Sequence, residues 1–363
     1  MVRVVGIDPG TKSFDIFGLD DDKVIVDEVI DSKLVVQNPR IILGLLKNLG
    51  NLDLVLGPSG YGLPLKKISE LNETDYFFLT LKKKGEEDVI GMTNVINSLK
   101  ELDCDVIFCP SLIHLPTIPK YRKINKIDIG TSDKLCSTAL AIYEQAKRLN
   151  INYSETSFIL VEMGYSFNSV IGVDNGMIVD GIGGSSGNIG FRAIGFMDSE
   201  LAYLLSPMKK RLLLQGGLCS VAKVKNIKDF LKLFHEDDEN ALIAWKAFHE
   251  GIEKSVLSML NSISNPKEII LSGRLVRIKE FYDEVKSRLS KYARVVRIKG
   301  IGKYAKESAQ GAALIANGLA KGKYSKLVDT MKIKDSFGTC LDYITYDEIR
   351  CLLKREEIEE SSS

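Results

Sequence analysis

One signature occurs twice in this chain, and it restricts the fold more than any other feature. Val4-Val5-Gly6-Ile7-Asp8-Pro9-Gly10-Thr11-Lys12-Ser13 is an apolar run that delivers an acidic residue to a turn of glycine and hydroxyl residues, and residues 14–19 return as a second apolar run. Residues 24–29 read as a third strand. Phe158-Ile159-Leu160-Val161-Glu162-Met163-Gly164-Tyr165-Ser166 then repeats the order of apolar strand, acid, glycine and hydroxyl. Residues 169–173 return, Asp174-Asn175-Gly176 makes a hairpin turn, and residues 177–179 go out again. Such patterns belong to buried strands joined by tight turns. A length of 363 residues agrees with the duplication, because size scaling favours two domains of about 150 residues each with a small remainder.

The first loop suits phosphate. Gly10 lets the backbone come close, the Thr11 and Ser13 hydroxyls can donate hydrogen bonds, and Asp8 at the strand end can hold a hydrated divalent cation through its water shell. Lys12 can contact a phosphate or stand in solvent. An ordinary hairpin whose turn carries Gly and Ser is the alternative reading of the decapeptide. Residues 181–190, with Gly183, Gly184 and Ser185, form a second loop of the same kind.

Between and after the hairpins the pattern alternates. A helix is expected over 39–49, a strand over 52–56 running into the glycine-rich loop 57–62, a short helix over 65–71, a strand over 76–81, a helix over 89–102 and a strand over 106–109. A rigid basic connection follows, with Pro110, His114, Pro116 and Pro119 and then Tyr121-Arg122-Lys123-Ile124-Asn125-Lys126. The spacing predicts a long helix over 132–149, with Thr131 or Ser132 able to cap it. Further helices are expected over 198–205, 228–234, 240–263, 279–289 and 306–320, with strands over 268–271 and 294–298. Residues 324–363 carry too weak a pattern to place, and 359–363 are expected to fray.

Apolar residues at 45% and charged residues at 27% suffice for an ordinary core, and no apolar run approaches a membrane span or a signal core. A cytoplasmic protein with no membrane partner is the expectation. Forty-nine basic against 48 acidic residues leave a formal charge of +1, so the molecule as a whole does not attract nucleic acid. Six cysteines without a C-x-x-C pair and three histidines argue against zinc or iron–sulfur sites and for reduced, buried thiols.

The two strand–strand–strand–helix–strand units, each opening on an acid and a Gly/hydroxyl loop, resemble the actin-like ATPase superfamily of sugar kinases, acetate and butyrate kinases, actin and heat-shock ATPases. The details are most similar to the acetate/butyrate kinase branch, and above all to archaeal proteins described as predicted butyrate kinases. Ile7-Asp8-Pro9-Gly10-Thr11-Lys12-Ser13 resembles I-N-P-G-S-T-S, and Gly130-Thr131-Ser132 resembles the G-T-S of acetate kinases, with Asp133 where they place His. Glu162-Met163-Gly164-Tyr165-Ser166 falls where they carry H-L-G-(G/N)-G. Ala309-Gln310-Gly311-Ala312-Ala313-Leu314 and Gly318-Leu319-Ala320-Lys321-Gly322 resemble the A-E-G-A-L…L-x-G end of butyrate kinases. Losing both histidines and gaining Asp8 and Glu162 makes the site more acidic, which suits a divalent cation.

The resemblance implies an α/β fold of two ribonuclease-H-like lobes, over 1–150 and 151–325 with an extension over 326–363, and a nucleotide cleft between them. It implies ATP and Mg2+ as cofactors, with Asp8 and Glu162 as metal-orienting carboxylates. Gly10, Thr11, Lys12, Ser13, Gly164, Ser166, Gly183, Gly184 and Ser185 would meet phosphate, and Gly273 and Arg274 adenine or ribose. The implied activity is a small-carboxylate kinase forming an acyl phosphate. Carboxylate transfer needs no general base but needs cations at the transferred group, for which Arg122, Lys123 and Lys134 are the candidates, a solvated basic loop being the alternative. A sugar or other hydroxyl acceptor would want a base, for which Asp133 is the candidate, helix capping the alternative. A regulatory or partner-remodelling ATPase is the third reading. His114 reads as structural, and Glu307 as a metal assistant or an exposed first-turn residue. A homodimer is left open as the assembly.

Overall fold

In the computed structural model, which describes residues 1–82, 91–263 and 265–347, the opening run is β1 (Arg3–Pro9) paired antiparallel with β2 (Ser13–Asp20). The Gly10 N–H donates to the Ser13 carbonyl at 3.0 Å and closes the turn. Val4, Val5, Ile7, Phe14, Ile16, Phe17 and Leu19 are all buried, so the sheet is covered on both faces and its strands need not alternate. β3 (Lys23–Asp31) pairs with β2 across an irregularity at Gly18/Leu19. There follow α1 (Ser32–Gln37), α2 (Arg40–Asn48), β4 (Leu54–Leu56), β5 (Lys66–Lys67), α3 (Glu73–Thr80), α4 (Met92–Leu99), β6 (Asp105–Phe108) and α5 (Ser132–Leu149). The sheet order is β3-β2-β1-β4-β6-β5.

Two expectations change here. Residues 76–81 are not a strand but lie in and just after α3, because Asn72 and Asp75 form a capping box that nucleates a helix despite the aromatic run Tyr76-Phe77-Phe78. Residues 65–71 are not a helix: Lys66–Lys67 add an edge strand to β6, and a single 3-10 turn, Ile68–Glu70, follows. The expected helix start at Val89, and the frayed end at 359–363, lie outside the described residues.

The second signature builds the same topology. β7 (Phe158–Met163), β8 (Asn168–Asp174) and β9 (Met177–Ile182) form an antiparallel run with an irregularity at Gly172/Val173. The helices α6 (Ser199–Leu204), α7 (Leu218–Val221), α8 (Ile227–His235) and α9 (Glu239–Leu260) come next, then β10 (Glu268–Ser272), α10 (Lys279–Leu289) and β11 (Val295–Arg297). The order β11-β10-β7-β8-β9 matches β6-β4-β1-β2-β3 of the first sheet, strand for strand and direction for direction. Its core includes an aromatic cluster of Phe191, Phe230, Trp245, Phe248 and Phe281.

The chain ends with α11 (Glu307–Leu319) and α12 (Ser325–Thr330). α11 lies on β1, β2 and α5, its Ala and Gly residues permitting close approach. By contacts the chain forms two compact units: residues 1–127, 131–153 and 300–363 in one, 128–130 and 154–299 in the other. The segment from Gly300 onward thus packs with the first sheet, whereas the resemblance implies boundaries at 150 and 325. The tail residues Tyr343 and Thr345 bond to Asn125 in the same unit. Among the described residues, Cys104, Cys109, Cys136, Cys219 and Cys340 form no disulfide, and no helix is long and apolar enough to cross a membrane.

Candidate functional site

In the first unit Asp8 and Asp15 are register partners on β1 and β2, so their side chains share a face; both are buried. Two like charges at that spacing repel unless a cation joins them. Lys306, immediately before α11, supplies it: its ammonium pairs with Asp8 and lies 3.4 Å from Asp15. The Lys306 N–H also donates to Asp15 Oδ1 at 3.0 Å, and Ser13 Oγ donates to Asp15 Oδ2 at 2.6 Å. A Cβ at position 10 would stand 2.9 Å from Lys306 Nζ, so Gly10 makes room for the lysine as well as the turn. Burial pushes the Asp8 carboxyl above its ordinary range, Lys306 opposes this, and Asp133 and Asp15 add to it as like charges. Thr11 and Lys12 stand exposed on the turn, where the Lys12 carbonyl accepts from the Ser32 N–H and the Gly10 carbonyl from Ser32 Oγ.

Thr131 is the N-cap of α5, but its hydroxyl gives no cap bond. It donates instead to Asp133 Oδ1 at 2.5 Å, while Lys134 Nζ donates to Oδ2 at 2.6 Å. Burial would raise the Asp133 carboxyl; Lys134 and Thr131 outweigh burial and hold it below the usual carboxylate range. Ser132 donates its N–H to Gly60 and its Oγ to the Cys109 carbonyl, tying α5 to the glycine-rich loop. Lys123 is buried rather than solvated: Nζ donates to the Leu115 carbonyl at 2.7 Å and sits 4.8 Å from the Tyr343 ring centre, and burial lowers its pKa to about 8. Arg122 lies over the Tyr121 ring. His114 is buried beside Ser111, as a structural residue would be, with its pKa lowered by burial to about 4. Glu307 is buried in the first turn of α11, where an exposed residue is the sequence alternative.

In the second unit the turn is closed as in the first, by the Gly164 N–H donating to the Phe167 carbonyl at 3.0 Å. Glu162 on β7 has Ser169 on β8 and Ser272 on β10 as its register partners, a buried row of one carboxylate between two hydroxyls. The Oγ atoms of Ser166, Ser169 and Ser272 are buried without a hydrogen-bond partner among the described residues. The loop of Gly183, Gly184 and Ser185 is held by Asp128, which sequence reading does not single out. Its Oδ2 accepts from the Ser185 N–H at 3.0 Å and from Ser185 Oγ at 2.9 Å, Oδ1 accepts from the Gly130 N–H, and its carbonyl accepts from Ser186 Oγ. Both Ser185 donors expected to meet phosphate are thus engaged with a carboxylate of the chain, and the Gly183 N–H donates to Ser186 Oγ. Gly273 has φ +95°, and a side chain there would meet the Met163 backbone; Arg274 follows, half-buried, at the head of a 3-10 turn.

The residues at Asp8 do not fit a bare Mg2+ ion, because an ammonium already pairs with the carboxylates that would receive it. Nor, among the described residues, do three His, Cys, Asp or Glu converge as direct metal ligands. Of the residues that sequence reading omits, Asp15 does carry a signal, a charge inside the apolar run Phe14-Asp15-Ile16-Phe17. Lys306 and Asp128 carry none, since their partners are distant in the chain.

The chain belongs to the family described as protein of unknown function DUF1464, whose profile matches residues 6–346. No curated protein sequence matches it. Among solved structures it is similar to acetate kinase from Entamoeba histolytica, with a TM-score of 0.60 and 14% identity over 80% of this chain and 86% of that one. A propionate kinase from Francisella tularensis subsp. tularensis gives 0.62 and 14% over 86% and 99%, and Porphyromonas gingivalis acetate kinase 0.60 and 13% over 86% and 98%. At such identities the likeness establishes the fold, the α/β actin-like ATPase fold built on two related sheets.

Proposed function

We propose that this DUF1464 member is an ATP-dependent phosphotransferase whose acceptor is a small, butyrate-like carboxylate and whose product is an acyl phosphate. The observation that carries the reading is the closed Gly10–Ser13 turn with Asp8, Asp15 and Lys306 beneath it, in a fold shared with acetate and propionate kinases. In the proposed reaction a carboxylate oxygen forms a bond to the γ-phosphorus as the bond to the β-phosphate oxygen breaks. ADP leaves with that electron pair, and no proton is transferred. In the first unit Thr11 and Lys12 on the exposed turn would bind phosphate. In the second unit Gly164, Ser166, Gly183 and Gly184 are the proposed phosphate contacts and Gly273 and Arg274 the proposed nucleoside contacts, while Ser13 and Ser185 would first have to leave Asp15 and Asp128. Arg122 and Lys134 are the proposed cations for the charge in flight; Lys123, the third sequence candidate, is committed to the Leu115 carbonyl under Tyr343. Mg2+ would come with the nucleotide and neutralise phosphate charge, Asp8 of the first unit and Glu162 of the second being the carboxylates proposed to orient it.

The state of Asp133 favours a carboxylate over a hydroxyl acceptor. Lys134 and Thr131 hold its carboxyl below the ordinary range, which makes it a weak base, and a carboxylate nucleophile needs none. Purified protein with ATP, Mg2+, hydroxylamine and a series of short-chain carboxylates is expected to yield a hydroxamate with at least one of them. No hydroxamate from any member refutes the carboxylate assignment. Phosphorylation of a hydroxyl compound that Asp133→Asn abolishes, with nucleotide binding intact, establishes the hydroxyl-kinase alternative.

A further inference from the structure

Asp8 and Asp15 face each other from neighbouring strands, both buried, and Lys306 lies against both. The lysine is placed, not merely present. Its own N–H is bonded to Asp15, the helix that begins at the next residue packs on β1 and β2, and position 10 has no side chain to obstruct its Nζ. A divalent ion entering here would set three positive charges beside two carboxylates at a site with little water to screen them, so the ion and the ammonium exclude one another. A phosphate group carries the negative charge that lets both stay.

We propose that Lys306 is the resident cation of the Asp8–Asp15 pair, so that this hairpin has no site for a bare divalent ion and admits one only in the company of phosphate. Exclusion of the bare ion stands on the geometry alone; entry with phosphate rests on the nucleotide reading above. Lys306 is then a positioning residue, bridging the two carboxylates until the phosphates come.

The full chain, without nucleotide, is titrated with Mn2+ by calorimetry and by the electron paramagnetic resonance of free Mn2+. Wild type and Lys306→Arg are expected to bind weakly, and Lys306→Met and Lys306→Gln at least about tenfold more tightly, a gap of the size that one unpaired charge produces. Adding Asp8→Asn to Lys306→Met should remove the gain. Circular dichroism confirms that each variant is folded, and two neutral variants keep the comparison usable if one is not. Mn2+ binding to wild type as tightly as to the neutral variants overturns the proposal, as does a gain that survives Asp8→Asn. ATP is then titrated with and without Mn2+. If ATP binds neither wild type nor variant, the nucleotide reading fails while the Mn2+ comparison still decides the role of Lys306.

Discussion

Asp8, Gly10, Asp15 and Gly18 of the first unit run in step with Glu162, Gly164, Ser169 and Gly172 of the second. The two hairpins share a turn closed by the same hydrogen bond, the same pairing of the acid with the residue opposite, and the same irregularity eight residues beyond the turn glycine. Their chemistry differs. The first row joins two carboxylates through a lysine that lies 298 residues from Asp8, whereas the second sets one carboxylate between two hydroxyls without hydrogen-bond partners. Strand geometry, then, fixes where groups stand, and the segment packed over each hairpin decides whether their polar capacity is used within the chain. The first hairpin is satisfied from inside; the second keeps hydroxyls to offer.

The comparison breaks most sharply at the helices that cover the sheets. In the first unit a Cβ on Gly311 of α11 would lie 1.8 Å from the Cys136 carbonyl oxygen of α5, and backbone cannot step aside. Gly311→Ala should cost more than about 3 kcal/mol, read as a fall in the denaturant midpoint. In the second unit a Cβ on Gly172 meets the Ile263 Cδ1 tip at 2.8 Å, a side chain that can turn, and Gly172→Ala should cost about 1 kcal/mol. Equal losses would mean that the two covers are equally rigid.

Asp15→Ala comes next. It removes the acceptor of the Lys306 N–H and of Ser13 Oγ and one partner of the half-buried ammonium, a loss of roughly 3 kcal/mol in urea unfolding. A loss below about 1 kcal/mol would show that the first hairpin is not the locked one.

The hairpins and α5 were legible because their signals are local. Alternation of apolar residue, acid and turn glycine is written within a dozen positions, and the strand register follows from it. Residues 76–81 misled because an aromatic run favours strand in isolation, while the cap that overrides it sits at Asn72 and Asp75. Lys123 reads as surface charge because nothing near it announces Tyr343, which covers it from the far end of the chain. Lys306 and Asp128 were hidden for the same reason: an ion pair or an acceptor across hundreds or tens of residues leaves no period in the sequence.

Both units also bury a neutral histidine, which gives the comparison a pH axis. His114 and His249 are each lowered from 6.5 to about 4, by burial first. His249 donates from Nδ1 to the Trp245 carbonyl, and its Nε2 has no partner. Between those values the unfolded chain holds the proton and the folded chain does not, so stability falls as pH drops through about 6.5 and levels off below about 4. From about pH 7 to about pH 5 the loss is about 2 kcal/mol per histidine. His114→Gln and His249→Gln should each flatten the melting-temperature profile over that range; a variant whose slope equals wild type removes its histidine from the account.

The smallest effect on stability is expected at Ser169→Ala, the counterpart of Asp15→Ala. Ser169 Oγ is buried with no hydrogen-bond partner, so the folded chain already bears the cost of drying it, and deleting it should leave stability within about 0.5 kcal/mol of wild type or slightly above. A hydroxyl kept at that cost beside Glu162 makes sense if a ligand completes it. ATP affinity, measured by calorimetry on the same variant, should then fall several-fold while the unfolding midpoint holds still. Loss of stability with unchanged affinity would instead make Ser169 an ordinary packing residue, and the second hairpin would be as self-contained as the first.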